Sequence, residues 1–127
     1  MRGSHEFDGA FAAMVKSRVG AVAVPELAIL LAHPKTIADL AAKLRLPVIG
    51  NSEFAELGGL IGYGANLLER WHRVGYFVDK IVKGTRPGVI PVEQPTRFDL
   101  VINMKTAKAF GLPMPNSILV QATKVIE

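Results

Sequence analysis

The chain has 127 residues, half of them hydrophobic, a fifth charged and none of them cysteine. That is enough for one folded core and argues against disorder, and it excludes disulfides, thiolate metal sites and cysteine nucleophiles. The formal charge of +4, with a pI of about 9.6, is spread from Lys16 to Lys124 and not gathered into a patch, so a solvated basic surface is expected and nucleic acid is not an expected partner.

Met1-Arg2-Gly3-Ser4-His5-Glu6-Phe7 reads as a vector-derived leader ending in a cloning-site scar, and residues 1–7 are set apart from the fold. No signal peptide follows. No apolar run reaches the roughly 20 residues of a membrane span. The longest candidate, Ala21–Ala32, is broken by Pro25 and Glu26. The polypeptide as it stands is therefore expected to remain in the cytoplasm when expressed.

Asp8 is expected to cap a helix over Gly9–Ser17 whose buried stripe is Phe11, Met14 and Val15. Val19–Val24 reads as a buried parallel strand, and Glu26–Ala32 as a helical turn leading from it. Pro34 suits the first turn of the next helix, with Ile37, Leu40, Ala41 and Leu44 inward and Asp39 paired to Lys43 outside. Leu46–Gly50 is a second strand, Asn51–Leu57 a polar loop with one helical turn, and Leu60–Gly64 a third strand. Leu67–Lys83 is a long helix capped by Asn66 and closed by Gly84, with Leu67, Trp71, Val74, Phe77, Val78, Ile81 and Val82 as its buried face. Arg86–Thr96, holding Pro87, Pro91 and Pro95, is an extended connector. Phe98–Met104 is a fourth strand, Lys105–Phe110 a helix closed by Gly111, and Asn116–Ile126 a last helix. Alternation of this length predicts an α/β three-layer sandwich around a mostly parallel sheet.

Three stretches carry a resemblance. They are Tyr76-Phe77-Val78-Asp79-Lys80-Ile81-Val82-Lys83-Gly84, then Pro91-Val92-Glu93-Gln94-Pro95-Thr96, then Phe98-Asp99-Leu100-Val101-Ile102-Asn103-Met104-Lys105-Thr106-Ala107-Lys108-Ala109-Phe110-Gly111-Leu112. With Ser52-Glu53-Phe54, Gly58-Gly59-Leu60 and Gly62-Tyr63-Gly64 upstream, the chain resembles the ABC transporter substrate-binding protein family of the tryptophan- and tyrosine-binding type. The resemblance implies a partial lobe of type I periplasmic-binding-protein architecture from a parent with two lobes and a ligand closed between them. It divides the chain into the leader 1–7, a partial C-terminal lobe 8–97, and a segment 98–127 that in the family crosses to the other lobe. The parent is implied to be periplasmic or lipid-anchored outside the cytoplasm, with a small solute such as an amino acid and an ABC permease as partners. No enzymatic activity and no cofactor are implied.

Ligand sites in open α/β sheets lie beyond the carboxyl ends of the strands. That rule selects Pro25 and Glu26 after the first strand, Asn51 and Glu53 after the second, and Tyr63 and Gly64 at the third. An amino-acid ligand needs an acceptor for its ammonium, for which Glu26 or Glu53 qualifies, and donors for its carboxylate, which the helix start at Asn66 offers. Each position also has a plain reading: a turn glycine, a cap, a packed ring, a solvated acid. One wall of a cleft binds weakly. Neither His33 nor His72 belongs to a metal motif, with His33 read as structural and His72 as surface. No nucleophile elbow, dinucleotide or phosphate loop is present, and metal ligands and catalytic residues are not expected. Two further readings stand beside the first. One is a domain that self-associates, by segment exchange or otherwise, through an orphaned surface at Leu100–Ile102. The other is a stand-alone flavodoxin-like domain that self-associates and has its own small ligand.

Overall fold

The computed structural model describes residues 6–127. In chain order its elements are α1 (Glu6–Lys16), β1 (Val22–Ala23), α2 (Ala28–Leu31), α3 (Pro34–Lys43), β2 (Val48–Gly50), α4 (Ser52–Glu56), β3 (Ile61–Ala65), α5 (Leu67–Val82), a single 3-10 turn (Pro87–Val89), β4 (Phe98–Asn103), α6 (Met104–Phe110), α7 (Asn116–Leu119) and β5 (Lys124–Ile126). They form two compact units. One runs up to Gly64 and resumes as Asp99–Glu127; the other is Ala65–Phe98.

The first unit is built on a five-stranded sheet in the order β1-β2-β3-β4-β5. β1 pairs parallel with β2, β2 with β3, and β4 with β5. The Asn103 N–H, at the end of β4, donates to the carbonyl of Leu60, just before β3, at 3.0 Å. Only an antiparallel β4 can place its last residue there, so the sheet is mostly parallel with one reversal. Side chains alternate across a strand, and β2 shows it: Val48 and Gly50 are buried while Ile49 between them is 38% exposed. On the Val48 face, Phe7 and Phe11 of α1, Leu30 of α2, Ile37, Ala38 and Ala41 of α3, and Phe54 of α4 form one core. At β4 both faces are covered, since the successive residues Val101 and Ile102 are both buried. The right-handed rule for parallel crossovers explains this: reversing the strand direction sends the connecting α6 and α7 to the opposite face from α3 and α4. The expected α/β class with helices flanking a mostly parallel sheet is what the chain forms.

Helix ends follow one chemistry. At α1, α3, α5 and α6 the residue after the last turn is left-handed, and the next N–H reaches back five residues: Val19 to Met14, Leu46 to Ala41, Thr85 to Lys80, Leu112 to Ala107. Gly84 and Gly111 were legible as closers, but Arg18 and Arg45 adopt the same conformation at φ 54° and 55°, where a side chain costs about 1 kcal/mol.

Several expectations need correction. Met1–His5 of the leader lie outside the described residues, but Phe7 is in the core at 1% exposure, its ring edge-on to His33 at 5.8 Å between centroids. The first helix is already formed at Glu6, ahead of Asp8. Asp39 pairs with Lys35, one turn before it, at 3.0 Å. The last expected helix is only the turn α7, and Lys124–Ile126 instead adds a strand beside β4. A three-residue run with two apolar members, Val125 and Ile126, has no periodicity to separate strand from helix, and an open sheet edge decides it. Leu100–Ile102 is not orphaned either, because β3 and β5 flank β4 in the sheet.

The second unit is α5 and its return. The Asn66 side chain accepts from the Glu69 N–H at 2.8 Å, capping the helix as expected. The connector runs back extended, and the Asn66 N–H donates to the Arg97 carbonyl at 3.0 Å, closing the excursion. No α5 residue is buried, so the expected buried face is not one: Trp71 is 64% and Val82 80% exposed. Periodicity reports that a face is apolar, not what covers it.

Candidate functional site

Within the first unit, the ends of β1, β2 and β3 bring part of the expected set together. Glycine decides the spacing. A Cβ placed on Gly64 would lie 3.3 Å from Glu26 Oε1, 3.8 Å from the Ser52 nitrogen and 3.9 Å from the Asn51 Cα. One on Gly62 would lie within 2.8 Å of the Asn51 and Ser52 carbonyl oxygens and the Ser52 Cα, so glycine there lets the start of α4 rest directly on β3. Glu26, Asn51, Ser52 and Gly64 thus share one small region, with Pro25 exposed beside Glu26.

The remaining residues are placed differently. The Asn51 side chain is engaged in capping α4, accepting from the Phe54 N–H at 3.1 Å. Gly50 pairs with Gly62, so Gly62 and Gly64 face the helices while Tyr63, 57% exposed, points to the other side of the sheet. Glu53 turns to a separate hollow of about 250 Å³ that it shares with Ser52, Glu56, Asp99, Thr123 and Lys124. There Lys124 Nζ donates to Glu56 Oε1 at 2.5 Å. Of the six residues selected from sequence, Pro25, Glu26, Asn51 and Gly64 gather, and Glu53 and Tyr63 diverge.

The second unit holds a larger groove, about 540 Å³, between the first half of α5 and the connector Glu93–Arg97. Arg73 donates to Glu93, and that hydrogen bond holds the Arg73 pKa above its usual value. The Arg73 guanidinium also lies 4.1 Å from the Tyr76 ring centroid. Arg97 Nε stands 3.8 Å from Glu69 Oε2, an oxygen that is buried without a hydrogen bond. Sequence reasoning passed over this groove. The signal was available in Glu69, Arg70 and Arg73 at turn spacing on the helix and in Glu93 and Arg97 on the connector, but their pairing depends on where the connector folds back. Among the described residues no cluster of three or more His, Asp or Glu is placed to hold a metal, and no helix is long and apolar enough to cross a membrane.

The sequence profile of the family described as ABC transporter substrate binding protein matches residues 2–126. No curated protein matches in sequence. Among solved structures, a conserved domain protein from Vibrio cholerae superposes with a TM-score of 0.89 at 21% identity, over 98% of this chain and 42% of that one. An ABC domain in complex with L-Trp from Streptococcus pneumonia gives 0.88 at 24% identity, over 99% and 44%. A substrate binding protein with adhesive properties from Clostridium difficile, in its ligand-free open form, gives 0.69 at 22%, over 99% and 42%. The chain spans less than half the length of each, and at these identities the likeness is one of fold.

Proposed function

The chain belongs to the ABC transporter substrate binding protein family, and we propose that it supplies one wall of a cleft in which the whole protein holds an amino acid for delivery to an ABC permease. The family's role is solute binding for transport, not catalysis. The observation that carries the ligand class is the strand-end cluster. The Glu26 carboxylate stands beside Gly64, where no side chain fills the space above the strand. A carboxylate in such a place is the acceptor an ammonium group needs. The neighbour from Streptococcus pneumonia holds L-Trp, which agrees with that class. In this reading the whole protein acts outside the cytoplasm. The flavodoxin-like alternative has no support from the comparisons.

Calorimetric titration with aromatic and branched amino acids tests this. The 127-residue chain is expected to bind weakly or not at all, because a single wall leaves most of a ligand in water. In the whole protein, Glu26→Gln is expected to weaken binding by about 10- to 100-fold, the worth of a charge-assisted hydrogen bond. Unchanged affinity in that variant would remove Glu26 from the site, and heat only from uncharged solutes would remove the amino-acid class.

A further inference from the structure

Asn103 does more than cap α6. Its Oδ1 accepts from the Thr106 N–H at 3.0 Å, a duty that serine or aspartate performs as well. Its Nδ2 donates at the same time to the Ala55 carbonyl of α4, 48 residues earlier, at 2.8 Å. A planar amide offers acceptor and donor on separate atoms, which lets one side chain make both bonds. At 5% exposure the group is buried. Thr106 adds a second tie, its hydroxyl donating to the Gly58 carbonyl at 3.1 Å. Both ties run from the β4–α6 junction to the rear end of α4, inside the first unit.

α4 has five residues, too few for a helix to persist alone, so its position is set from outside. Phe54 stands at its middle. A Cβ on Gly50 would lie 2.7 Å from Phe54 Cγ, and one on Gly59 would come closer still to Cδ1, so the ring is seated directly on both glycines. The front of the helix, at Asn51 and Ser52, rests on Gly62 and borders Gly64, which Glu26 also approaches. The rear is held by Asn103 and Thr106. At about 1.5 Å of rise per residue the two ends lie equally far from Phe54, so a rear end that lifts by ~1 Å about that seat shifts the front by about as much.

We propose that Asn103 and Thr106 are positioning residues for the strand-end cluster. They fix the tilt of α4, and with it the spacing of Asn51 and Ser52 from Gly64 and Glu26. Their own partners are Ala55 and Gly58, at the other end of the helix, so they act through α4 and not on a ligand. Tight binding needs the groups around a ligand held to within about 0.5 Å by the contacts behind them. The inference rests on the solute-binding reading for the ligand, and on the geometry of the first unit alone for the movement of α4.

Thr106→Val removes the hydroxyl and keeps the shape, whereas Thr106→Ser keeps the hydroxyl. In the 127-residue chain, nuclear magnetic resonance should show Thr106→Val moving the amide signals of Ser52, Gly62 and Gly64 at the front of α4 as well as that of Gly58. Thr106→Ser should leave the front signals in place. In the whole protein, Thr106→Val should weaken amino-acid binding by about 5- to 30-fold and Thr106→Ser by less than about twofold. Phe7→Leu loosens the core but leaves both ties intact, so it should lower the melting midpoint without changing affinity. Amide shifts confined to Gly58 and Thr106 overturn the proposal. So does a Thr106→Val affinity no weaker than that of Phe7→Leu while Glu26→Gln still loses binding. A whole protein that binds no amino acid removes the solute reading, and the amide shifts of the 127-residue chain then decide the positioning of α4 by themselves.

Discussion

Phe7→Ala tests whether the chain's first described residues belong to the fold. Phe7 is 1% exposed, touches His33 edge-on, and sits with Phe11 in the core under α3. Removing a buried phenyl ring takes away its transfer free energy and leaves a cavity, together about 3–5 kcal/mol. For a chain of this length about 1 kcal/mol moves the midpoint by roughly 4 °C, so a fall of about 12–20 °C is expected. Circular dichroism at 222 nm is the assay of choice, because it follows the whole backbone while Trp71 reports only α5. Val15→Ala on the same helix, 44% exposed, should cost under about 1 kcal/mol. Phe7→Leu should fall between the two, which keeps the test informative if Phe7→Ala fails to fold. Equal midpoints for Phe7→Ala and Val15→Ala would show that α1 does not dock through Phe7.

Gly62→Ala should destabilise by about 1–3 kcal/mol, because its methyl group would meet backbone atoms of Asn51 and Ser52 that have no rotamer to move aside; a urea melt measures it, and a neutral result would mean the start of α4 can lift off β3. Asn103 is 5% exposed, donates to the Ala55 carbonyl at 2.8 Å and accepts from the Thr106 N–H at 3.0 Å. Asn103→Ala should therefore cost about 2–4 kcal/mol, combining a lost cap with an unsatisfied carbonyl. Asn103→Asp keeps the cap but turns a carboxylate oxygen toward that carbonyl, so it should be no better than alanine at neutral pH and should recover as the acid is protonated. A stable aspartate variant at neutral pH would refute the assigned bond.

Much of the fold can be read along the chain because its signals are local. Asn66 and Gly84 bracket α5, Gly111 closes α6, and Pro34 opens α3, each through the backbone of its own few residues. The strand ends likewise pointed to Glu26, Asn51 and Gly64, since a sheet's direction follows from alternating elements. What the chain could not declare are the partners of each apolar face. Phe7 lies in the stretch read as a leader, yet it packs in one core with Ile37, Ala38 and Ala41 of α3. The run Lys124–Ile126 continued a helical reading until the edge of β4 offered it a ladder. Trp71, Val74 and Val78 carry the pattern of a buried helix, yet nothing within the Ala65–Phe98 unit covers them. Glu53 and Tyr63 parted from Glu26 because alternation across β3 and the turn of α4 aim them elsewhere. Periodicity and capping are written in neighbouring residues; which surface meets which is settled only when distant segments compete for the same water-excluded face.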